Sequence, residues 1–201
     1  MNLNSEQLQL FIEQGYVVVD DFLPEKQANQ LSEQIDSLSE LSALKPAAIG
    51  TRATHQANTS IRGDWTRWFD EKPTLECEIS FTQSLEHLRQ QFNAELYTGC
   101  RRFECHYALY PPSTGYQKHY DNFKGTNSRA ITFVYYLNDQ WQNSDGGHLL
   151  LYSPENPEMI LSKIEPLWNR LLLFKSQDFP HEVSPTFKNR KSITGWMRTD
   201  E

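Results

Sequence analysis

His119 and Asp121 are the residues of this sequence whose types and spacing most directly suggest metal chemistry. His119 lies in residues 116–120, which have the pattern of a short β-strand, and Asp121 follows directly. Side chains two positions apart on a strand point to the same face, so an imidazole and a carboxylate there can reach one metal ion together. Because His-x-Asp also occurs often by chance, the pair alone is more typical of a surface pair without a ligand.

Two other residues, His181 and Arg190, occur later in the chain and change that interpretation. His181 stands at the start of a later predicted strand, and in a jelly roll a late strand can return beside an early one. Two histidines and one carboxylate on one face of a metal form the triad typical of non-haem iron(II) sites with open coordination positions. Arg190 begins the last predicted strand, and taken alone it would be a solvated strand end. Deep in a barrel, its planar guanidinium would present two parallel donors to a carboxylate and so anchor a dicarboxylic acid.

The first hundred residues are predicted to be mainly helical. Ser5 is placed as the N-cap of a first helix that ends at Gly15, and Pro24 suits the first turn of a second helix. A buried strand is expected over residues 16–19, and a third helix over about 84–96. The polar segment from residue 46 to 64 is interpreted as a hairpin or a mobile loop.

From residue 102 onward, short β-branched and aromatic runs alternate with turn signals, which is typical of an antiparallel sandwich or small barrel. The predicted strands cover residues 103–110, 116–120, 130–137, 148–152, 159–164, 171–174, 181–183 and 192–197. We therefore predict a mainly β, α+β fold, a double-stranded β-helix (jelly roll) with N-terminal supporting helices. One domain is expected over residues 1–201, with helical support over 1–100 and the jelly-roll core over 101–201.

Composition excludes several classes of protein. With 38% hydrophobic and 22% charged residues among 201, the chain is globular. Its net charge of -7 argues against nucleic acid as a main partner. No apolar run is long enough to span a membrane, and the N-terminus lacks the pattern of a signal peptide. The three cysteines form no CxxC motif. A cytoplasmic monomer with reduced thiols is expected.

The sequence resembles the iron(II)- and 2-oxoglutarate-dependent oxygenases, and among them the prolyl hydroxylases of the hypoxia-inducible-factor type. The likeness is ordered along roughly the last 140 residues. The matching segments are 61–64, 110–111, 115–122, 135–138 with Trp141, 146–147, 164–166, 170–172, 180–183 and 190–196.

This resemblance implies a role for each matching residue. Fe(II) would be bound by His119, Asp121 and His181. The cosubstrate 2-oxoglutarate would be bound by Arg190, Tyr136, Thr194 and Tyr110. The target proline would be surrounded by Tyr116, Arg129 and Trp196. The implied reaction consumes O2 and yields succinate, CO2 and a hydroxylated proline, with ascorbate as an optional further cofactor.

The substrate is expected to be a polypeptide that carries a proline. This rests on a segment over about residues 51–70, which is interpreted as a mobile loop that folds over a peptide. Within it, Arg62, Asp64 and Trp65 are the candidate substrate-binding residues. A plain surface hairpin is the alternative.

The chain also departs from the animal enzymes of the family, because it stops five residues after Trp196. No counterpart of their C-terminal helix is therefore expected. In length it is similar to shorter bacterial relatives, which implies a proline of a translation elongation factor as the target. Three other functions stay open: hydroxylation of a free amino acid or small molecule, a metal-binding jelly-roll sensor without turnover, and a cupin-type isomerase.

Overall fold

The computed structural model describes residues 2–47, 61–122 and 128–200, and within these ranges the chain forms three α-helices and eleven β-strands. The helices are α1 (Ser5–Gln14), α2 (Glu25–Glu40) and α3 (Glu76–Leu96). None of the helices in these ranges has the length and hydropathy that crossing a membrane requires.

The N-cap of α1 is Asn4, so the prediction of Ser5 was wrong by one residue. The Asn4 side chain accepts a hydrogen bond from the backbone N–H of Gln7, and the Gln7 side chain accepts one from the backbone N–H of Asn4. Because this capping box satisfies two backbone donors at once, it stabilises a start at Asn4 more than the Ser5 hydroxyl could. Gly15 ends the helix in the left-handed conformation, as predicted.

Helix α3 begins at Glu76, eight residues before the predicted start near Ser84. The apolar stripe extends back through Cys77 and Phe81, which are buried together with the predicted part of the stripe. The Ser84 hydroxyl donates to the Ser80 carbonyl inside the helix. Ser84 therefore acts as an interior helical residue and not as a cap.

The strands form two antiparallel sheets. The strands are β1 (Tyr16–Val19), β2 (Lys45–Pro46), β3 (Trp65–Trp68), β4 (Arg102–Tyr110), β5 (Tyr116–His119), β6 (Arg129–Tyr136), β7 (Leu149–Tyr152), β8 (Ile160–Ile164), β9 (Arg170–Lys175), β10 (His181–Val183) and β11 (Arg190–Arg198). The major sheet has the order β1-β9-β6-β11-β4-β3-β2, and the minor sheet has the order β5-β10-β7-β8. This is the predicted jelly roll, and every predicted strand is present within one or two residues at each end.

Residues 51–70, interpreted as a mobile loop or a plain surface hairpin, contain one strand, β3, and strand β2 lies just before them. Strand β3 pairs with β2 on one side and with β4 on the other, so it extends the major sheet. Residues 65–68 are therefore a strand and not part of a loop. Of the rest of the predicted loop, residues 51–60 lie outside the described residues.

Residue parity on the central strands decides which side chains face the site. On β6, Ile131, Phe133 and Tyr135 pack in the core cluster that contains helix residues such as Phe81. Val134 belongs instead to the cluster between the two sheets. Since neighbouring positions alternate between faces, the even-numbered residues of β6, and of β4 and β11 in register with it, face the inside of the roll.

Candidate active site

Strand pairing brings the two predicted histidine ligands together. His119 ends β5 and His181 begins β10, and the two residues are direct partners in the antiparallel ladder. The Nε2 atom of His181 lies 3.5 Å from Oδ2 of Asp121, and that of His119 lies 3.9 Å from Oδ1. The three candidate ligand atoms all lie within 4.8 Å of one another, a spacing at which one metal ion can bind all three.

Asp121 reaches this group in a different way from the one predicted. Strand β5 ends at His119, so Asp121 follows it in a bend and is not held by strand alternation. Its position is fixed from β6, where the Thr132 hydroxyl donates to Oδ2 of Asp121 at 2.6 Å. Thr132 also shares a hydrogen bond of 2.8 Å with the Ser176 hydroxyl. The carboxylate is therefore oriented by a buried chain of two hydroxyl groups.

Both imidazoles are oriented by backbone carbonyls. Nδ1 of His119 lies 2.7 Å from the Gln117 carbonyl, and Nδ1 of His181 lies 3.1 Å from the Phe179 carbonyl. A carbonyl oxygen only accepts, so each Nδ1 carries the proton and each Nε2 presents its lone pair. Burial, followed by the neighbouring His181, lowers the pKa of His119 to about 3, so this ring is neutral at physiological pH.

Asp121 is in the ionised form that a metal ligand requires. Burial by itself raises the pKa of this carboxyl group. The nearby imidazoles and the hydrogen bond from Thr132 outweigh burial, and the pKa lies below its usual value. Two imidazoles beside a carboxylate are a donor set that fits Fe(II).

Arg190 is a buried cation without an acidic partner among the described residues. It is 1% exposed; its Nε donates to the Gly147 carbonyl at 2.8 Å and its Nη1 donates to the Ser192 hydroxyl at 3.3 Å. In the part of the chain that the structure describes, its Nη2 has no hydrogen-bond partner and neither does the hydroxyl of Tyr136. The Tyr136 ring centroid lies 5.0 Å from the guanidinium carbon. Two unpaired donors and one unpaired charge at the same place fit the carboxylate of a dicarboxylic acid.

The Gly147 carbonyl accepts a hydrogen bond from Nε of Arg190. We therefore expect Gly147→Ala to weaken the binding of 2-oxoglutarate. Gly147 has a φ of +63°, and an added Cβ would lie 2.9 Å from Cδ of Arg190. Gly99 has a similar φ of +67° with nothing within 4 Å of an added Cβ. Both variants should lose about 1–2 kcal/mol of stability through backbone strain. Titration calorimetry should show weaker 2-oxoglutarate binding for Gly147→Ala only; equal affinity in both variants would contradict this role.

The predicted site residues surround a single cavity of about 210 Å³. Those that line it are Arg62, Asp64, Tyr110, Tyr116, His119, Asp121, Arg129, His181, Arg190, Thr194 and Trp196. Tyr136 lies behind Arg190 and is fully buried. Trp65 does not line the cavity: it is 42% exposed and lies three positions from the lining residue Trp68, hence on the opposite face of β3.

The segment that precedes β3 contributes Arg62 and Asp64 to the lining of the cavity. Arg62 makes a two-pronged ion pair with Asp64, with distances of 2.6 and 2.9 Å, and Asp64 is 2% exposed. The Arg62 guanidinium lies 4.9 Å from the ring centroid of Tyr116, and that ring stacks on the imidazole of His119 at 3.6 Å. A continuous row of contacts therefore joins this segment to a metal-site histidine.

Arg129 is held by the protein from three sides. Its Nη1 donates to the backbone carbonyl of Asp121 at 2.9 Å, and its Nη2 lies 3.3 Å from Oε1 of Glu104. Its guanidinium carbon lies 3.6 Å from the ring centroid of Trp196. Arg129 therefore fixes the backbone at Asp121 and one face of Trp196.

Among the cavity-lining residues that the sequence-based reasoning missed are Trp68 and His106. They are direct partners in the β3–β4 ladder, and their ring centroids are 4.8 Å apart. His106 shares strand parity with Tyr110, which was predicted to lie in the site, so alternation along β4 could have found it. No comparable signal was available for Trp68, because β3 itself was not predicted.

Comparison with known proteins agrees with this geometry. The family model of the 2OG-Fe(II) oxygenase superfamily matches residues 105–198. A prolyl-4-hydroxylase from Pseudomonas putida has a crystal structure with a TM-score of 0.85 and 31% identity, and the match covers 98% of each chain. The chain belongs to the 2OG-Fe(II) oxygenase superfamily. This family uses Fe(II), 2-oxoglutarate and O2, and the donor set at His119, Asp121 and His181 fits that iron.

Two further relatives bear on function. A Trichoplax adhaerens prolyl hydroxylase, solved in complex with a peptide fragment of the hypoxia-inducible factor oxygen degradation domain, has a TM-score of 0.83 and 29% identity over 98% of this chain and 94% of that one. Human Egl nine homolog 1 is 33% identical over 187 residues, which are 90% of this chain and 43% of the human protein. The chain spans about half the length of the Egl nine homologues that it matches.

Proposed function

We propose that this oxygenase hydroxylates a prolyl residue of a protein, converting 2-oxoglutarate and O2 to succinate and CO2. The observation that carries the proposal is one cavity that holds both the His119, Asp121, His181 group and the unpaired buried cation of Arg190. The fold does not need the Arg190 charge, since a buried charge without a partner costs stability. Together, the three-residue group and this charge suit a metal and an anionic cosubstrate.

Each part of the cavity then has its own task. His119, Asp121 and His181 hold Fe(II), which together with 2-oxoglutarate and O2 supplies the oxidation of a C–H bond coupled to decarboxylation. Arg190 and the Tyr136 hydroxyl bind the distal carboxylate. Burial raises the pKa of Tyr136 to about 12, so its hydroxyl keeps its proton and donates. Thr194 and Tyr110 also line the cavity, and the Tyr110 ring centroid lies 5.0 Å from the guanidinium carbon of Arg190.

A protein substrate is favoured by the wall at the cavity mouth. Trp68 is 49% exposed, its ring lies 6.1 Å from that of Trp196, and Tyr116 lines the same cavity. Open aromatic surfaces of this kind supply contact area for a chain segment that extends past the reacting residue. The Trichoplax relative was solved in complex with a peptide fragment.

Among protein substrates we propose a translation elongation factor. The support is the resemblance to short bacterial prolyl hydroxylases, together with the full-length structural match to the Pseudomonas putida enzyme. The test is incubation of the purified chain with Fe(II), 2-oxoglutarate, O2 and the purified elongation factor of its host. Mass spectrometry should show one added oxygen on one proline, with succinate formed in equal amount. Turnover of free proline in place of the protein would overturn the proposal.

Trp68 and Trp65, on opposite faces of β3, form a matched pair of variants that tests whether the peptide binds at the Trp68 wall. Trp68→Ala should raise the KM for the protein substrate about tenfold, because a large aromatic anchor is removed from the cavity mouth. Trp65→Ala removes the same side chain from the opposite face of the strand and should leave KM unchanged. Uncoupled decarboxylation of 2-oxoglutarate should persist in both variants. Equal effects on KM would place the peptide elsewhere.

Asp64 provides a second probe of the same substrate-binding surface. Asp64→Ala breaks the buried pair with Arg62, so the segment before β3 should lose its fixed position. We expect a higher KM for the protein substrate with little change in uncoupled decarboxylation. If both activities fall together, the pair supports the iron site or the fold instead.

A further inference from the structure

His106 is a buried histidine in the wall of the cavity to which the reaction gives no role. It lies in β4 on the face shared with Tyr110, opposite Thr194 in β11 and Trp68 in β3. It is 1% exposed and lines the cavity. It lies outside the candidate metal group, which contains the histidines at positions 119 and 181.

The hydrogen bonds of His106 fix what its free nitrogen can do. Nδ1 lies 3.1 Å from the Tyr107 carbonyl, which can only accept, so Nδ1 carries the proton. Burial, followed by the positive charge of Arg62, lowers the pKa of His106 to about 4, so the ring is neutral at physiological pH. Nε2 is therefore a bare acceptor, and it has no hydrogen-bond partner within residues 2–47, 61–122 and 128–200.

A donor without a partner stands beside this acceptor. Nε1–H of Trp196 is buried and unpaired, and the ring centroids of His106 and Trp196 are 5.9 Å apart. Trp68 completes the wall at 4.8 Å from His106 and 6.1 Å from Trp196. His106 and Trp196 both line the cavity, so its wall contains one acceptor and one donor without partners among the described residues.

The hydrogen-bonding groups of His106 and Trp196 distinguish between 2-oxoglutarate and a polypeptide, the two ligands proposed for the cavity. At neutral pH 2-oxoglutarate is a dianion with acceptor atoms only, so it cannot donate to Nε2 of His106. A polypeptide backbone carries both an N–H donor and a carbonyl acceptor. A buried acceptor left unpaired in the complex would weaken binding, so a ligand that satisfies it is selected.

We propose that His106 is a specificity-determining residue that accepts a hydrogen bond from a backbone N–H of the substrate, while Trp196 donates to a substrate carbonyl. The proposal rests on the proposed function, since it requires a polypeptide in the cavity. The proline nitrogen carries no hydrogen, so the donor is one of the two backbone N–H groups that flank the target proline.

The test uses a synthetic peptide that spans the target proline of the elongation factor, and two ester analogues in which oxygen replaces one or the other flanking N–H. Wild type should bind one ester about fivefold more weakly than the amide peptide, the loss of one neutral hydrogen bond. His106→Leu should bind that ester and the amide equally, and His106→Gln should regain the preference through its amide oxygen. The control is His148→Leu, which removes another buried histidine with an unpaired Nε2 outside the cavity.

Binding of 2-oxoglutarate, measured by titration calorimetry, should be the same in all of these proteins. The inference is overturned if wild type treats both esters like the amide, or if His106→Leu keeps the preference. It is also overturned if His106→Leu weakens 2-oxoglutarate as much as the peptide. Wild type that binds 2-oxoglutarate but hydroxylates none of the peptides would instead overturn the proposed function, and the inference with it.

Discussion

Replacement of Asp121 by alanine is expected to abolish turnover and to lower the affinity for Fe(II) more than about 100-fold, beyond the effect of removing a residue that only supports a ligand. Asp121 is the single anionic member of the group with His119 and His181. Two neutral imidazoles remain in the variant, and they cannot neutralise the charge of the metal. The fold should survive, because the charge-assisted hydrogen bond lost with Thr132 contributes only about 1.5–3 kcal/mol.

The control for this variant is Asp145→Ala. Asp145 is also a buried aspartate, and it pairs with Lys188 outside the cavity. Calorimetric titration with Fe(II) under anaerobic conditions should show loss of binding for Asp121→Ala and normal binding for Asp145→Ala. Circular dichroism should report a folded protein in both cases. Tight iron binding or normal turnover by Asp121→Ala would contradict the assignment of the metal group.

Replacement of Arg190 by alanine is expected to cost about 2–5 kcal/mol in the binding of 2-oxoglutarate, the range for loss of one partner of a desolvated charge pair. This corresponds to a rise in Kd of roughly 30-fold to several thousandfold. Arg190→Lys keeps the charge but loses the planar fork, so its affinity should be intermediate. Arg170→Ala is the control, because Arg170 pairs with Asp20 at the surface of the roll.

Arg190 also gives a prediction for stability: its replacement should weaken the binding of 2-oxoglutarate without destabilising the fold. With no acidic partner for Arg190 among the described residues, Arg190→Met replaces a buried charge by an apolar chain of similar length. Without 2-oxoglutarate this variant should unfold at the same or a higher temperature than wild type. Added 2-oxoglutarate should raise the Tm of wild type only. A destabilised Arg190→Met variant that still responds to 2-oxoglutarate would contradict the anchor.

The β half of the fold could be predicted closely because its signals are local. Strands such as β6 and β9 are apolar runs bounded by turn residues, and both appear at the predicted places. The ordered motif residues likewise come together, since the ladder places His119 opposite His181. Here strand alternation and turn chemistry agree with the tertiary structure.

What could not be predicted depends on tertiary context. Strand β3 is polar and partly exposed, with no alternation in its own sequence, and it forms because the edge of β4 is available to pair with it. Without β3 the sequence gives no basis for choosing between Trp65 and Trp68. Arg62 and Asp64 were expected to bind the substrate, and in the structure they pair with each other across Gly63.

The central claim is that this chain hydroxylates a proline of a protein, and one measurement tests it most directly. Host proteins from cells that express wild type or Asp121→Ala should be compared by quantitative mass spectrometry. We predict one additional oxygen on a specific proline of the translation elongation factor in the wild-type cells and its absence in the variant cells. If no protein proline differs between the two, while hydroxylated free amino acids accumulate only with wild type, the claim is contradicted.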